Sequence, residues 1–188
     1  MEIQTFEKSL NDLIEENGTS IFLASAKLFA KKIVYGKWFR PHEYPDARAF
    51  ERDFRRLFGQ GKWIILDIQN LPADCVLKAN LKALYDISKL SSQYGPEPVR
   101  GFYFHFKRLP TIKEFETLFQ GTFESEIEFV YRHLLKIGEL KKLSPKEKQG
   151  SQWKKFLFRK QKEFIPYQFL SLSGIENEVL IFLREGLE

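Results

Sequence analysis

Asp67 closes an apolar run, Trp63-Ile64-Ile65-Leu66-Asp67-Ile68, and a carboxylate at the end of a buried strand is where α/β folds often place a working acid. The chemistry open to it is phosphoryl acceptance, which also needs an acidic pair after an earlier strand to hold magnesium. The early pair Glu15-Glu16 follows a predicted helix instead, so Asp67 reads as a structural acid bonding a nearby turn. Cys75 stands at the start of a predicted helix, where the dipole lowers a thiol pKa. No histidine lies near it in sequence, and the commoner fate of a free cysteine is a buried, inert thiol. His42, His105 and His133 are far apart and in no metal-ligand spacing. A single cysteine excludes an intramolecular disulfide framework and any multi-cysteine metal site. Ser171-Leu172-Ser173-Gly174 does not make a nucleophile elbow. Gly59-Gln60-Gly61 lies after a helix and before a strand, the reverse of the order that phosphate capture needs. No catalytic residue, metal or cofactor is expected, and enzymatic activity has no positive support.

The remaining chemistry is electrostatic. Between Arg132 and Glu163 stand eleven Lys or Arg and three Glu, a local +8 that leaves −3 for the rest of a chain whose total is +5. Trp153, Phe156 and Phe158 interleave with these cations. Cations that displace counterions, together with rings that stack on bases, are one footprint of nucleic-acid binding. The residues expected to carry it are Lys141, Lys142, Lys148, Trp153, Lys154, Lys155, Arg159 and Lys160. A solvated face over a Phe-rich core gives the same composition, and an acidic protein or anionic lipid satisfies the same patch. The helix, loop and strand order of this segment also resembles the end of a winged helix.

These residues need elements to position them. A chain of 188 residues with 43% apolar and 29% charged residues holds one ordinary domain, or a small domain with an appendage, and is too apolar for a disordered chain. No apolar run approaches the roughly 18 residues of a membrane span, and Met1-Glu2 begins no secretory signal pattern, so a soluble cytoplasmic protein is expected. The spacing predicts an amphipathic helix over 3–16, ended by Asn17-Gly18, and a strand within 30–39. Residues 19–30 read equally as helix or strand. Asp46 caps a predicted helix with Ala49, Phe50, Phe54, Leu57 and Phe58 inward and arginines outward. Trp63–Ile68 reads as a strand buried on both faces. A helix over 74–92, a strand over Val99–Phe106 and a helix over 111–119 follow, with the two strands expected to run parallel through a right-handed crossover. Beyond Gly121 a helix over 123–143, a polar loop over 144–151, a strand or helical turn over 153–158 and a final helix over 175–185 are expected.

The stretch from about 33 to 121 resembles a STAS domain, the fold of anti-sigma-factor antagonists. The likeness rests on Ile33-Val34-Tyr35-Gly36, on the helix 46–58, on Ile65-Leu66-Asp67-Ile68-Gln69-Asn70-Leu71, and on a helix with Asp74 at its head. It implies an α/β fold, a STAS-like sheet with flanking helices over 1–121; the basic helical or α/β extension over 122–188 lies outside the family pattern. It also implies a non-catalytic protein–protein interaction module in bacterial-type regulation. The partner surface would be Asn70, Leu71, Asp74, Cys75 and Val76. Where the family carries a phosphorylatable hydroxyl, this chain reads Asp74-Cys75-Val76-Leu77, so phosphoryl control at that point is absent. Nucleic-acid binding by the basic segment is the alternative function, and neither reading determines the oligomeric state.

Overall fold

The computed structural model of the chain describes residues 18–140, 153–164, 167–171 and 178–184 in full, and the backbone of 3–5, 141–142 and 150–152. The chain is mixed α/β and divides into two compact units, Met1–Phe115 and Glu116–Glu188.

The open 19–30 stretch resolves into strand β2, Ser20–Ser25, followed by a single helical turn, α1, Ala26–Phe29. Ile21, Leu23 and Ala24 are fully buried, as a strand covered on both faces requires. It is this strand, and not Trp63–Ile68, that runs through the sheet interior. Around it the order is β1 (Ile3–Thr5), β3 (Val34–Phe39), β2, β4 (Trp63–Gln69). β2 is antiparallel to both neighbours, and β1 is parallel to β3. The expected helix over 3–16 is therefore a strand at 3–5; the rest of that expectation lies outside the described residues.

Helix α2, Ala47–Phe58, is built as its sequence implies. Asp46 accepts a hydrogen bond from the Ala49 N–H at 2.7 Å, and Gly59 ends the helix at φ 62°. Phe50 meets Phe39 of β3 edge-on and Phe54 meets it tilted, with ring centroids 5.6 and 6.0 Å away. The opposite face of the sheet gathers Phe22, Ala24 and Val34, flanked by Trp38 and Ile64.

Four expectations for this unit are corrected. β4 lies at a sheet edge, antiparallel to β2, with Leu66 and Asp67 exposed, so a continuous apolar run here marks a rim and not a centre. The helix over 74–92 is two helices, α3 (Ala73–Val76) and α4 (Leu81–Tyr94), because the Asn80 side chain caps the second by accepting from the Ala83 N–H. Val99–Phe106 is not a strand. It belongs to helix α5, Pro96–Phe106, with Val99 and Phe102 buried and Pro96 at the first helical position. With that strand absent the expected parallel crossover between 63–68 and 99–106 does not form, and the element that the STAS resemblance places after its second helix is helical here. Helix α6, Ile112–Leu118, keeps Phe115 inward as the spacing implies.

Two polar clusters tie the unit together. In the first, Thr19 Oγ1 lies 2.7 Å from His42 Nδ1 and 3.1 Å from Ser88 Oγ, and the His42 backbone N–H donates to Ser88 Oγ at 3.2 Å. Thr19 and Ser88 are 1% and 0% exposed, so the cluster ties the residue before β2 and the 41–43 turn to α4 through buried hydroxyls. Ser88→Ala removes the Ser88 hydroxyl that meets the His42 N–H and Thr19 Oγ1 and is expected to cost about 1–3 kcal/mol in urea unfolding; a change below about 0.5 kcal/mol would show that the knot contributes nothing.

In the second, Asp53 accepts from Tyr44 Oη at 2.7 Å, Lys37 Nζ at 3.2 Å and an Arg56 guanidinium nitrogen at 2.7 Å. Burial opposes ionisation of Asp53, but the bonds from Tyr44 and Lys37 and the charges of Lys37 and Arg56 outweigh it and hold its pKa below the ordinary carboxylate value. Burial and the bond to Asp53 raise the Tyr44 pKa. The stability held by the carboxylate is thus present above its unfolded-state pKa and lost as pH falls through the folded one. Asp53→Asn is expected to flatten the acid limb of a stability-against-pH curve; an unchanged limb would remove this assignment.

In the second unit an antiparallel sheet has the order β5 (Phe119–Phe123), β7 (Val179–Leu183), β6 (Tyr167–Ser171). Helix α7, Glu126–Lys136, follows β5. A 3-10 turn, Glu139–Lys142, and helix α8, Gly150–Gln161, precede β6. The expected final helix is β7, whose Val179, Leu180, Ile181 and Phe182 are all buried as the middle strand of three. The long 123–143 helix stops at Lys136, where Ile137 leaves helical geometry and Gly138 takes φ 76°. Phe129, Val130, Leu134, Leu140, Leu157, Val179 and Ile181 form the core of this unit.

Candidate nucleic-acid interface

Ser125 opens α7 by accepting from the Glu128 N–H at 3.1 Å, and the Glu128 side chain reaches back to the Glu124 N–H at 2.7 Å, a reciprocal N-terminal cap. α7 then buries Phe129, Val130 and Leu134 and offers α8 a surface to pack on. At about 100° per residue, the packing of α8 decides which of its cations reach solvent. Leu157 points inward at 4% exposure. Trp153 and Phe156 pack against the same core and stack on each other at 5.5 Å and 14°. Trp153 also meets the Tyr131 edge at 6.1 Å.

The outward face that results is Lys154, Lys155, Phe158, Arg159 and Lys162, all exposed. Lys154, Phe158 and Lys162 follow one another at one-turn spacing, with Lys155 and Arg159 alongside. Among the described residues none of these four cations is within ion-pair reach of a carboxylate. Lys160 differs: its Nζ lies 2.6 Å from Glu163 and its side chain is 25% exposed. Burial and the nearby Lys136 charge hold the His133 pKa below the usual imidazole value, so His133 is neutral at pH 7 and adds nothing to the patch.

Of the residues named for nucleic-acid contact, the structure brings together Lys154, Lys155 and Arg159. Trp153 is partly buried, and the phase of α8 turns its ring against the core of the unit. Lys148 and the side chains of Lys141 and Lys142 lie outside the described residues. Phe158 and Lys162 complete the face, and the i, i+4 spacing of 154, 158 and 162 is the signal that places them. Phe158 is also one wall of a cavity of about 340 Å³ whose other lining residues include Glu124, Glu126, Gln161, Ser171 and Glu178. The Gln161 side-chain amide donates to Glu126 there.

The turn expected to meet a regulatory protein is mostly interior. Leu71 is 8% exposed, and Cys75 and Val76 are fully buried. Asn70 takes φ 49° and donates its side-chain amide to the Gly18 carbonyl at 3.3 Å. Asp74 is half exposed and pairs with Arg100 at 3.4 Å. Burial, reinforced by the adjacent Asp74 charge, pushes the Cys75 thiol up to about 12. Native protein at pH 8 is therefore expected to resist a disulfide reagent such as dithionitrobenzoate and to react within seconds once unfolded; fast native reaction would contradict the buried placement.

Among the described residues no three His, Cys, Asp or Glu side chains gather as a metal-holding group, and no helix is long and apolar enough to cross a membrane. Comparison with protein-family models, curated proteins and solved structures finds no match to this chain.

Proposed function

We propose that this protein binds double-stranded DNA through the outward face of α8. The observation that carries the reading is the set of exposed cations Lys154, Lys155 and Arg159 on α8 and Lys162 just past its end, none of them ion-paired among the described residues, on a helix whose other side is locked into a core. Such a face neutralises phosphates without giving up internal ion pairs. An α-helix about 10–12 Å across suits the roughly 12 Å major groove of B-DNA. The deep, narrow major groove of duplex RNA does not admit it. Single strands are bound by successive exposed rings, and here Trp153 and Phe156 face inward, which leaves one.

Topology supports the same reading. Strand β5, helices α7 and α8 and the β6–β7 pair, with β7 between β5 and β6, follow the order of a winged helix, in which the second helix of the pair meets DNA. A regulatory protein contact at the 70–77 turn has less behind it. Asp74 and the 71% exposed Leu77 are the side chains available there, and the other apolar groups of that surface are interior.

The test is fluorescence anisotropy of the full chain with a labelled random-sequence 20-base-pair duplex across a salt series. Affinity is expected to fall with a log–log slope of about −3 or steeper, since each phosphate contact contributes about −0.9. Binding that ignores salt, or none at low salt, would remove the proposal.

A further inference from the structure

Cations dominate the second unit, yet the cavity beside α8 collects carboxylates. The register of the sheet shows how they meet. Phe123 of β5 pairs with Val179 of β7, so the next residues outward, Glu124 and Glu178, bring two like charges together where the ladder ends. Like charges placed opposite one another cost stability. Neither side chain has a cation or a hydrogen-bond donor against it among the described residues. Glu126 stands in the first turn of α7, and the Gln161 side-chain amide donates to its carboxylate. The fold has a use for Glu126, since a negative charge suits a helix N-terminus. It has none for the Glu124–Glu178 pair.

The remaining wall is apolar. Phe158 is 58% exposed, and among the described residues its ring meets no other ring and no cation. Ile127 and Val179 add aliphatic surface. This lining sorts ligands by chemistry. Anions are repelled by it. A metal ion finds no three ligating side chains gathered closely enough to hold it among the described residues, and gains nothing from the apolar wall. A linear aliphatic polyamine answers every part: its separated ammonium groups meet separated carboxylates, its methylenes lie on the apolar wall, and an ammonium over the open ring makes a cation–π contact. The volume of about 340 Å³ falls within the roughly 300–1,000 Å³ that small ligands occupy.

We infer that this cavity is a binding site for a linear aliphatic polyamine, held by Glu124, Glu126 and Glu178 beside the Phe158 ring. The bound ammonium groups supply the counter-charge that the fold withholds from the Glu124–Glu178 pair. The inference goes beyond the DNA-binding reading and does not depend on it, because Lys154, Lys155 and Arg159 are not lining residues of the cavity.

The experiment is isothermal titration calorimetry of the full chain with spermidine, without DNA, at roughly 0.1 M sodium chloride, where diffuse attraction between exposed charges is largely screened. Saturable one-to-one binding is expected, with n-butylamine, which offers a single ammonium, about tenfold or more weaker. Joint Glu124→Gln and Glu178→Gln substitution is expected to weaken spermidine by about 10–100-fold. The same variant relieves the repulsion, so its unfolding midpoint without ligand should equal or exceed that of wild type, which separates lost binding from lost folding. Phe158→Leu, which keeps an apolar wall and removes the ring, is expected to weaken spermidine by about 3–10-fold. Replacement of Lys154, Lys155 and Arg159 by alanine should leave spermidine affinity at least as high as in wild type. Absence of saturable binding, equal affinity for n-butylamine or magnesium ion, or a double glutamine variant that binds as wild type does would each overturn the inference. A trilysine peptide that binds more than about tenfold tighter than spermidine would overturn it too, by assigning the cavity to the side chains of a protein partner. Spermidine binding by a chain that ignores duplex DNA upholds the inference and removes the DNA-binding proposal alone.

Discussion

Joint replacement of Lys154, Lys155 and Arg159 by alanine is expected to weaken duplex binding by roughly two to three orders of magnitude at 0.1 M salt. Each lost phosphate contact removes about 0.9 from the slope of log affinity against log salt, so the three together flatten it by about 2.7. At 0.1 M that slope corresponds to roughly 500-fold. All three side chains are exposed, Arg159 lying over the outer side of the Phe156 ring at 5.9 Å, and the folded state is expected to be kept, with an unfolding midpoint close to wild type. Lys160→Ala is the internal control: its ammonium is already held by Glu163, so the slope should change by well under one unit. A triple variant that binds as wild type does, or a Lys160 variant that loses as much as the triple, would show that the outward face of α8 is a solvated surface and nothing more.

Gly36→Ala is expected to be the most damaging single-methyl change in the first unit, at about 2–4 kcal/mol. Gly36 sits in β3 opposite Ala24 of β2. A Cβ there would lie 2.7 Å from the Leu23 carbonyl oxygen and 2.7 and 2.9 Å from two atoms of the Phe22 ring. None of these can yield cheaply. The carbonyl belongs to the central strand, and the Phe22 ring is 8% exposed and held edge-on by Trp38 at 5.4 Å. Total stabilities of domains run about 5–15 kcal/mol, so this change alone should shift a urea midpoint visibly by tryptophan fluorescence. A loss below about 1 kcal/mol would mean that β2 and β3 pack more loosely than their register implies.

Gly36 also shows how far the sequence carries. As a glycine in a strand it is legible and marks a close approach. What approaches it is not, because Phe22 lies on a segment whose helical or extended character was open until its partners were placed. α2 was legible in full. Its cap, its inward phenylalanines and its terminal glycine all act within the helix itself, so no distant contact could overrule them. Val99–Phe106 reads as a strand because Val99, Phe102 and Phe106 sit in an aromatic run that suits one, whereas the prolines at 96 and 98 favour the helix start found there. Trp63–Ile68 reads as interior since six mostly apolar residues look the same at an edge as at a centre.

The candidate interface divides in the same way. The excess of cations over 132–163 and their mixture with aromatics stand in the linear sequence, and charge is a property that no fold can remove. Which rings join the cations is a matter of helix phase. Trp153 and Phe156 turn inward only because Leu157 and the core of α7 fix the rotation of α8, and the same rotation leaves Phe158 and Lys162 outside. Composition and local caps were thus determined by the sequence alone, since they depend on neighbours within a turn or two. Strand order, the edge position of β4 and the outward face of α8 were decided by tertiary structure, because each depends on surfaces that the chain brings together from far apart.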